Sequence, residues 1–317
     1  MSVLVSVAGD DPAQWMPHLE RELPGESHVW DRRDGTLGAL PDIRYALVWG
    51  PQPGLFSHLP NLEALFSLGA GVDHILEAQG VPADLPIIRY VGDDLTARMG
   101  EWVALQCLMH LRQQLAYDAQ KRDGVWRQLP QPGAHQVRVG IMGLGEMGAY
   151  AAQKLVALGF QVSGWSNTRK SIVGVTSYAG AGERDAFLVQ TDILVSLLPH
   201  TPATHHLIDK ALIGKLARDG ALGGPILVNA GRGKTQVDGD VLAALRDGRL
   251  KAASLDVFET EPLPKNSVFW SLPNLIVTPH AAAWSDRGDV VAHMARQVRR
   301  LRDGLAFEHV VDRARGY

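Results

Sequence analysis

Three side chains in the C-terminal half of the sequence have the types and the setting for proton and anion chemistry. Arg232 stands in Asn229-Ala230-Gly231-Arg232-Gly233, Glu261 in Asp256-Val257-Phe258-Glu259-Thr260-Glu261-Pro262, and His280 in Thr278-Pro279-His280-Ala281-Ala282. Each follows a short apolar run that reads as a strand, and open α/β sheets bind ligands at strand ends. Taken singly they are ordinary: a lone histidine among twelve is usually structural or solvated, an arginine between glycines bridges a loop, and Glu261 fits a surface turn. Taken together around one cofactor, they supply what carbonyl reduction needs. Hydride arriving at a ketone carbon leaves an alkoxide that an acid must protonate, and a histidinium does this near neutral pH. A carboxylate on the other ring nitrogen favours the charged form and fixes the ring. A guanidinium grips a substrate carboxylate and polarises the carbonyl.

The cofactor turn lies upstream, in Val139-Gly140-Ile141-Met142-Gly143-Leu144-Gly145-Glu146-Met147-Gly148. Strand, Gly-x-Gly-x-x-Gly, helix is the order that lets backbone N–H groups and a helix N-terminus hold a pyrophosphate. Gly143 makes the tight turn, Gly145 lets the diphosphate approach, and Gly148 lets helix and strand pack closely. An NAD site expects an acidic residue at the end of the next strand, to bond the ribose hydroxyls. That strand ends Gly164-Trp165-Ser166-Asn167-Thr168-Arg169-Lys170, with a hydroxyl and two cations in place of the acid. Ser166, Arg169 and Lys170 suit a 2′-phosphate, so the expected cofactor is NADP(H), with NAD(H) second. A solvated basic turn is the plain alternative.

The elements that must position these groups follow an α/β rhythm. In the first hundred residues strands are expected at 3–7, 45–49, 62–68 and 86–91, with helices at 13–22 and 72–78. The stretch 101–122 reads as a helix apolar around most of its circumference for three turns, hence a junction or a subunit interface. Six strands follow, at 137–142, 161–165, 192–198, 226–229, 252–257 and 275–278, as in a doubly wound dinucleotide domain. An amphipathic helix, 286–303, closes the chain and should dock on the first domain. The expected fold is therefore α/β, with two Rossmann-like or flavodoxin-like domains of doubly wound parallel sheet and the active site in the cleft between them. Residues 1–100 plus 285–317 form the substrate-binding domain, and 101–284 the NAD(P)-binding domain.

Bulk properties bound the function. A length of 317 residues favours two cores over one. A net charge of −3 gives no reason to expect nucleic acid or an anionic membrane as partner. The single cysteine, Cys107, sits among apolar residues and reads as a buried small hydrophobe. The N-terminus lacks a signal-peptide pattern and no stretch approaches a membrane span, which reads as cytoplasmic. No metal-ligand pattern is present.

The chain resembles the D-isomer-specific 2-hydroxyacid dehydrogenase family over essentially its whole length. The resemblance is carried by residues 143–148, by Leu198-Pro199-His200-Thr201-Pro202-Ala203-Thr204, and by residues 229–233, 255–264 and 278–283. The spacings of 29 residues from Arg232 to Glu261 and 19 from Glu261 to His280 are typical of that family. The branch that reduces glyoxylate and hydroxypyruvate shares Phe66-Ser67-Leu68-Gly69-Ala70-Gly71-Val72-Asp73, the Trp-Ser-x-x-Arg-Lys turn at 165–170, and the ending Val311-Asp312-Arg313-Ala314-Arg315-Gly316-Tyr317.

The resemblance implies that Arg232 binds the oxo acid, that His280 is the general acid/base, and that Glu261 orients it. It implies that Leu68, Gly69, Ala70 and Gly71 border the substrate, the N–H groups of Ala70 and Gly71 holding its carboxylate as a backbone nest. Trp49 would line the same pocket, or serve as a domain-core aromatic. The cofactor residues implied are Gly143, Leu144, Gly145, Glu146, Met147, Gly148, Trp165, Ser166, Arg169, Lys170, Leu198, Pro199, His200, Thr204, Ala230, Asp256 and Ala282. Asp256 would accept from the nicotinamide carboxamide, or bridge at the sheet's end. Two departures stand out: Asn167 where a third cation is expected, and a loose match at residues 93–100. The function implied is NADP(H)-dependent reduction of small 2-oxo acids by a homodimer. A dehydrogenase for a bulkier 2-oxo acid and a nicotinamide-sensing binding protein are the alternatives.

Overall fold

The computed structural model describes residues 2–30 and 39–317. The chain divides into two compact units, Met1–Leu95 with Ser285–Tyr317, and Thr96–Trp284.

The first unit holds a five-stranded parallel sheet of β1 (Ser2–Val7), β2 (Ser27–Trp30), β3 (Ile43–Trp49), β4 (Ala64–Ser67) and β5 (Ile87–Ile88), in the order β2-β1-β3-β4-β5. Strand β1 is buried along its whole length, as a near-continuous apolar run in a parallel sheet should be. Four strands were legible in this stretch. The one added, β2, interrupts what the sequence presents as a long connection. Helix Arg287–Arg302 belongs to this unit, as its amphipathic pattern predicts. Asp286 caps it by accepting from Gly288 N–H and Asp289 N–H at 2.8 and 3.2 Å. It lies against helix Met16–Glu22, and Arg287 pairs with Asp10 at 2.6 Å.

The second unit holds a seven-stranded parallel sheet: β6 (Arg138–Met142), β7 (Gln161–Ser166), β8 (Val175–Ala179), β9 (Ile193–Ser196), β10 (Ile226–Asn229), β11 (Ala252–Leu255) and β12 (Leu275–Val277). The order β12-β11-β10-β9-β6-β7-β8 reverses direction between β6 and β9, the switch point of a doubly wound sheet. Six of these strands were expected. The seventh, β8, is an edge strand of half-buried and exposed residues, so its hydrophobic pattern is weak. One apolar cluster joins Met99, Val103 and Cys107 to Val139, Ile141 and Leu155. A second gathers Phe187, Leu188, Leu212, Leu227, Val241 and Leu255.

The expected single helix at 101–122 is two helices, Asp93–Leu111 and Gln114–Arg122. The break falls at Gln113, whose φ of 56° an α-helix cannot contain. Cys107 is fully buried, and burial pushes its thiol up to about 12, so it is an inert core residue. No helix among the described residues is long and apolar enough to cross a membrane.

Candidate active site

The glycine turn begins where β6 ends. Gly143 has φ of 100°, and a Cβ there would lie 2.9 Å from the Leu197 carbonyl oxygen, so position 143 needs glycine twice over. A Cβ on Gly148 would lie 1.8 Å from the Gly143 carbonyl oxygen, which clamps the first turn of helix Glu146–Ala157 onto the loop. Gly145 differs: a Cβ there meets nothing within 4 Å. The chain itself makes no demand for glycine at 145, and the helix start below it faces open space.

At the end of β7, Trp165 is buried in the second apolar cluster, its indole N–H donating to Gly180 O at 2.7 Å. Its side chain is therefore packed into the core of this unit. Ser166 Oγ donates to Thr168 O at 2.7 Å, and Lys170 N–H donates to Ser177 Oγ at 3.0 Å. The exposed Arg169 guanidinium donates to Ser177 O and pairs with Glu183 at 2.5 Å. The turn carries its two cations outward with one of them braced by a carboxylate.

Beyond β9, Leu198 is buried, and Thr204 closes the loop by donating to Pro199 O at 2.6 Å and accepting from Thr201 N–H at 2.8 Å. His200 lies 3.1 Å from His205, Nε2 to Nδ1.

Arg232, Glu261 and His280 follow β10, β11 and β12, so all three sit at the C-terminal edge of one sheet. His280 Nδ1 lies 2.7 Å from Glu261 Oε2, while Glu261 Oε1 accepts from Phe258 N–H at 3.0 Å. Burial by itself would raise the Glu261 carboxyl. The hydrogen bond and charge of His280, the Phe258 N–H and the charge of Arg232 outweigh it and hold the carboxyl below its ordinary range. Arg232 is thus close enough to act on the same carboxylate that orients His280. The two paired side chains are 35% and 34% exposed, open enough to meet a ligand.

His280 has φ of 51°, an uncommon conformation outside glycine, and Asp256 explains how it is held. The Asp256 carbonyl accepts from His280 N–H at 2.8 Å. Its buried carboxylate accepts from Ala281 N–H at 2.8 Å, from Ala282 N–H at 3.0 Å and from the Thr278 hydroxyl. Those bonds describe the bridging role of Asp256. Ala230 is buried and donates to Ser196 O at 3.2 Å.

In the first unit, Leu68, Gly69, Ala70 and Gly71 form the turn after β4. Leu68 N–H donates to Val48 O at 3.2 Å, and Ser67 Oγ to Gly71 O at 3.0 Å. Trp49 packs against this turn: a Cβ on Gly69 would lie 3.1 Å from its ring, and the ring centroid is 4.4 Å from that of His74.

One constellation went unseen in the sequence. His206 stacks on His205 with centroids 3.9 Å apart and bonds Glu259 at 2.6 Å. Glu259 in turn exchanges bonds with Asp238. The signal available was the His205-His206 pair and a glutamate two residues before Glu261. Among the described residues no set of three His, Cys, Asp or Glu side chains is arranged to hold a metal ion.

The sequence and the fold have known counterparts. Residues 104–282 match the family model described as D-isomer specific 2-hydroxyacid dehydrogenase, NAD binding domain. The chain is 39% identical to glyoxylate/hydroxypyruvate reductase A of Citrobacter koseri over 97% of both sequences. Among solved structures it is similar to the NADPH-dependent glyoxylate/hydroxypyruvate reductase of Sinorhizobium meliloti in complex with NADP and sulfate. That match has 47% identity and a TM-score of 0.94, covering 100% of this chain and 99% of the other. A probable 2-hydroxyacid dehydrogenase of Rhizobium etli, in complex with NADP, HEPES and tartaric acid, matches with 46% identity and a TM-score of 0.90 over 100% and 99%. A full-length relationship at these identities, on this doubly wound fold, makes the chain a member of the D-isomer-specific 2-hydroxyacid dehydrogenase family and an NAD(P)-dependent oxidoreductase.

Proposed function

We propose that the protein reduces small 2-oxo acids, glyoxylate and hydroxypyruvate first, to glycolate and D-glycerate, with NADPH preferred over NADH. The observation that carries the reading is the 2.7 Å contact between His280 Nδ1 and Glu261, at the sheet edge that also bears Arg232.

The nicotinamide cofactor, when bound, supplies the hydride. The open face of Gly145 and the start of helix Glu146–Ala157 suit its diphosphate, and residues 166–170 suit its 2′-phosphate. Arg232 binds the carboxylate of the oxo acid and polarises its carbonyl. His280 gives its Nε2 proton to the carbonyl oxygen as the alkoxide forms, and takes one back in the oxidative direction. Glu261 holds the ring through Nδ1, so that Nε2 is the nitrogen that faces substrate. The Leu68–Gly71 turn is assigned to the substrate carboxylate. The names of the relatives in C. koseri and S. meliloti support the choice of substrate and of NADPH.

Initial rates with glyoxylate and hydroxypyruvate, each against NADPH and NADH, test this reading. Turnover of both acids with a higher kcat/KM for NADPH is expected, and no turnover with either cofactor would overturn it. A higher kcat/KM for a bulkier 2-oxo acid would move the substrate assignment. We also place a homodimer contact on the stretch 101–122, where Leu105 is 53% exposed on helix Asp93–Leu111. Light scattering on the eluted peak checks it, and a monomer mass would remove it.

A further inference from the structure

Arg232 and Glu261 stand on different loops, and the structure fastens those loops to each other beside the two side chains. A Cβ on Gly233 would lie 1.8 Å from the Phe258 carbonyl oxygen, so the two loops are in backbone contact there. Beside that contact Glu259 and Asp238 bond reciprocally. Glu259 Oε2 accepts from Asp238 N–H at 2.8 Å, and Asp238 Oδ2 accepts from Glu259 N–H at 3.2 Å.

The clasp continues inward on one side. Gln236 donates to Asp238 Oδ1 at 2.8 Å and accepts from Asn229 Nδ2 at 2.9 Å, and Asn229 Oδ1 accepts from Gly231 N–H at 3.0 Å. Asn229 and Gln236 are fully buried, so this chain is a fixed strut reaching the residue before Arg232. On the other side Glu259 Oε1 meets His206 Nε2 at 2.6 Å. His206 itself is locked to the Arg232 loop, with its N–H donating to Lys234 O at 2.9 Å. Its backbone takes φ of 52°, a conformation kept only where the surroundings enforce it. The pair is therefore tied to three loops, those following β9, β10 and β11.

We propose that Glu259, held between Asp238 and His206, is a positioning residue that sets the separation of Arg232 from Glu261 and so the grip on a 2-oxo acid. This rests on the role proposed above for Arg232. The groups around the His206 ring are His205 stacked on it, His200 beyond His205, Glu259 on the facing loop and, behind Glu259, Asp238 at the start of helix Asp238–Asp247. A carboxylate at 259 accepts from His206 whether the imidazole is neutral or charged. An amide at 259 accepts from Asp238 N–H and turns its NH2 to the ring, which suits a neutral imidazole and opposes a charged one.

Two measurements on the full-length protein decide the matter. The first is hydrogen exchange, which needs no substrate. Glu259→Ala should raise exchange in the peptides covering 230–238 and 256–262 together, while the peptide covering 143–148 stays as in the wild type. Unchanged exchange in both loops would overturn the clasp even if the protein reduced no oxo acid. The second is kinetics with glyoxylate. Glu259→Ala should raise KM by roughly ten- to a hundredfold, with NADPH affinity unchanged. Glu259→Gln keeps the side-chain length and a hydrogen bond to Asp238 N–H, so it should recover most of the wild-type KM that Glu259→Ala loses. A fall in Tm with KM unchanged would reduce Glu259 to a stabilising residue and overturn the proposal.

Discussion

At the N-terminal edge of the seven-stranded sheet, Arg138 meets Asp192 through Nη2 at 2.6 Å and Nε at 3.1 Å, while its N–H adds a third bond at 2.9 Å. At the C-terminal edge, His280 meets Glu261 through one ring nitrogen at 2.7 Å. Both pair a basic side chain with a carboxylate across neighbouring segments of one fold, yet they are built differently. Asp192 is 2% exposed and its carboxylate accepts three bonds from Arg138, a residue that keeps its charge at any pH the protein meets. The hydrogen bonds to Asp192 and Asp219 push the Arg138 guanidinium further up still. Glu261 and His280 are a third exposed, and the base is an imidazole, a ring that can both give and take a proton. The closed pair fixes two strand starts; the open pair keeps a nitrogen for something else.

Substitution separates them by which measurement moves. Replacing His280 with Ala should lower kcat by about 10²- to 10⁴-fold and leave Tm nearly unchanged. Replacing Asp192 with Ala leaves a partly buried guanidinium without its main partner. It should cost about 3–5 kcal/mol of stability while the folded fraction keeps its kcat. Thermal melts and steady-state rates on the two variants check both halves. If His280→Ala melted early and its folded molecules turned over normally, the contrast between the two edges would be false.

Arg232→Lys sharpens the same contrast within the active edge. Lysine keeps the charge but loses the planar fork, so KM for glyoxylate should rise by roughly 10- to 100-fold. Cofactor affinity, measured by fluorescence titration with NADPH, should not follow. Equal loss of both would mean that Arg232 shapes the whole edge instead of gripping the acid.

Much of this edge was legible because its chemistry is local in sequence. The turn at 143–148 announces itself through three glycines, two of which the backbone independently requires. Arg232, Glu261 and His280 each follow an apolar run, and the sheet order then brings three distant segments to one edge. What stayed hidden was non-local. Asp256 reads as a strand-end acid, and only the fold reveals it bonding a loop that begins more than twenty residues later. Glu259 and His206 are 53 residues apart, and no periodicity links them. Strand β8 was missed because an edge strand with little to bury has no hydrophobic signature. The helix break at Gln113 was missed because glutamine carries no sequence mark for a left-handed conformation.

At the cofactor turn the expected effect is smaller. Arg169→Ala with Lys170→Ala should raise KM for NADPH by roughly tenfold and change KM for NADH little. Arg169 already has Glu183 as a partner, which limits what its removal can show. Losses of equal size for both cofactors would remove the 2′-phosphate assignment and leave a plain surface turn.

The smallest effect concerns a third imidazole, which sharpens what exposure and a carboxylate do for His280. His110 is 6% exposed, and its Nε2 lies 2.8 Å from the Ser254 hydroxyl instead of a carboxylate. Burial, aided by the charge of Lys251, pushes it down to about 4. The unfolded chain therefore binds a proton that the folded chain refuses between that value and the ordinary histidine value of about 6.5. Stability from this group is complete above the unfolded value and is lost as pH falls through the window towards 4. At about pH 6 the loss is about 1 kcal/mol. His110→Gln retains a bond to Ser254 without a titrating ring. Its Tm should decline less than that of the wild type between about pH 7.5 and about pH 5. Parallel declines would mean that a hydroxyl partner and deep burial do not hold this ring neutral, and the lesson drawn from the His280 pair would lose its control.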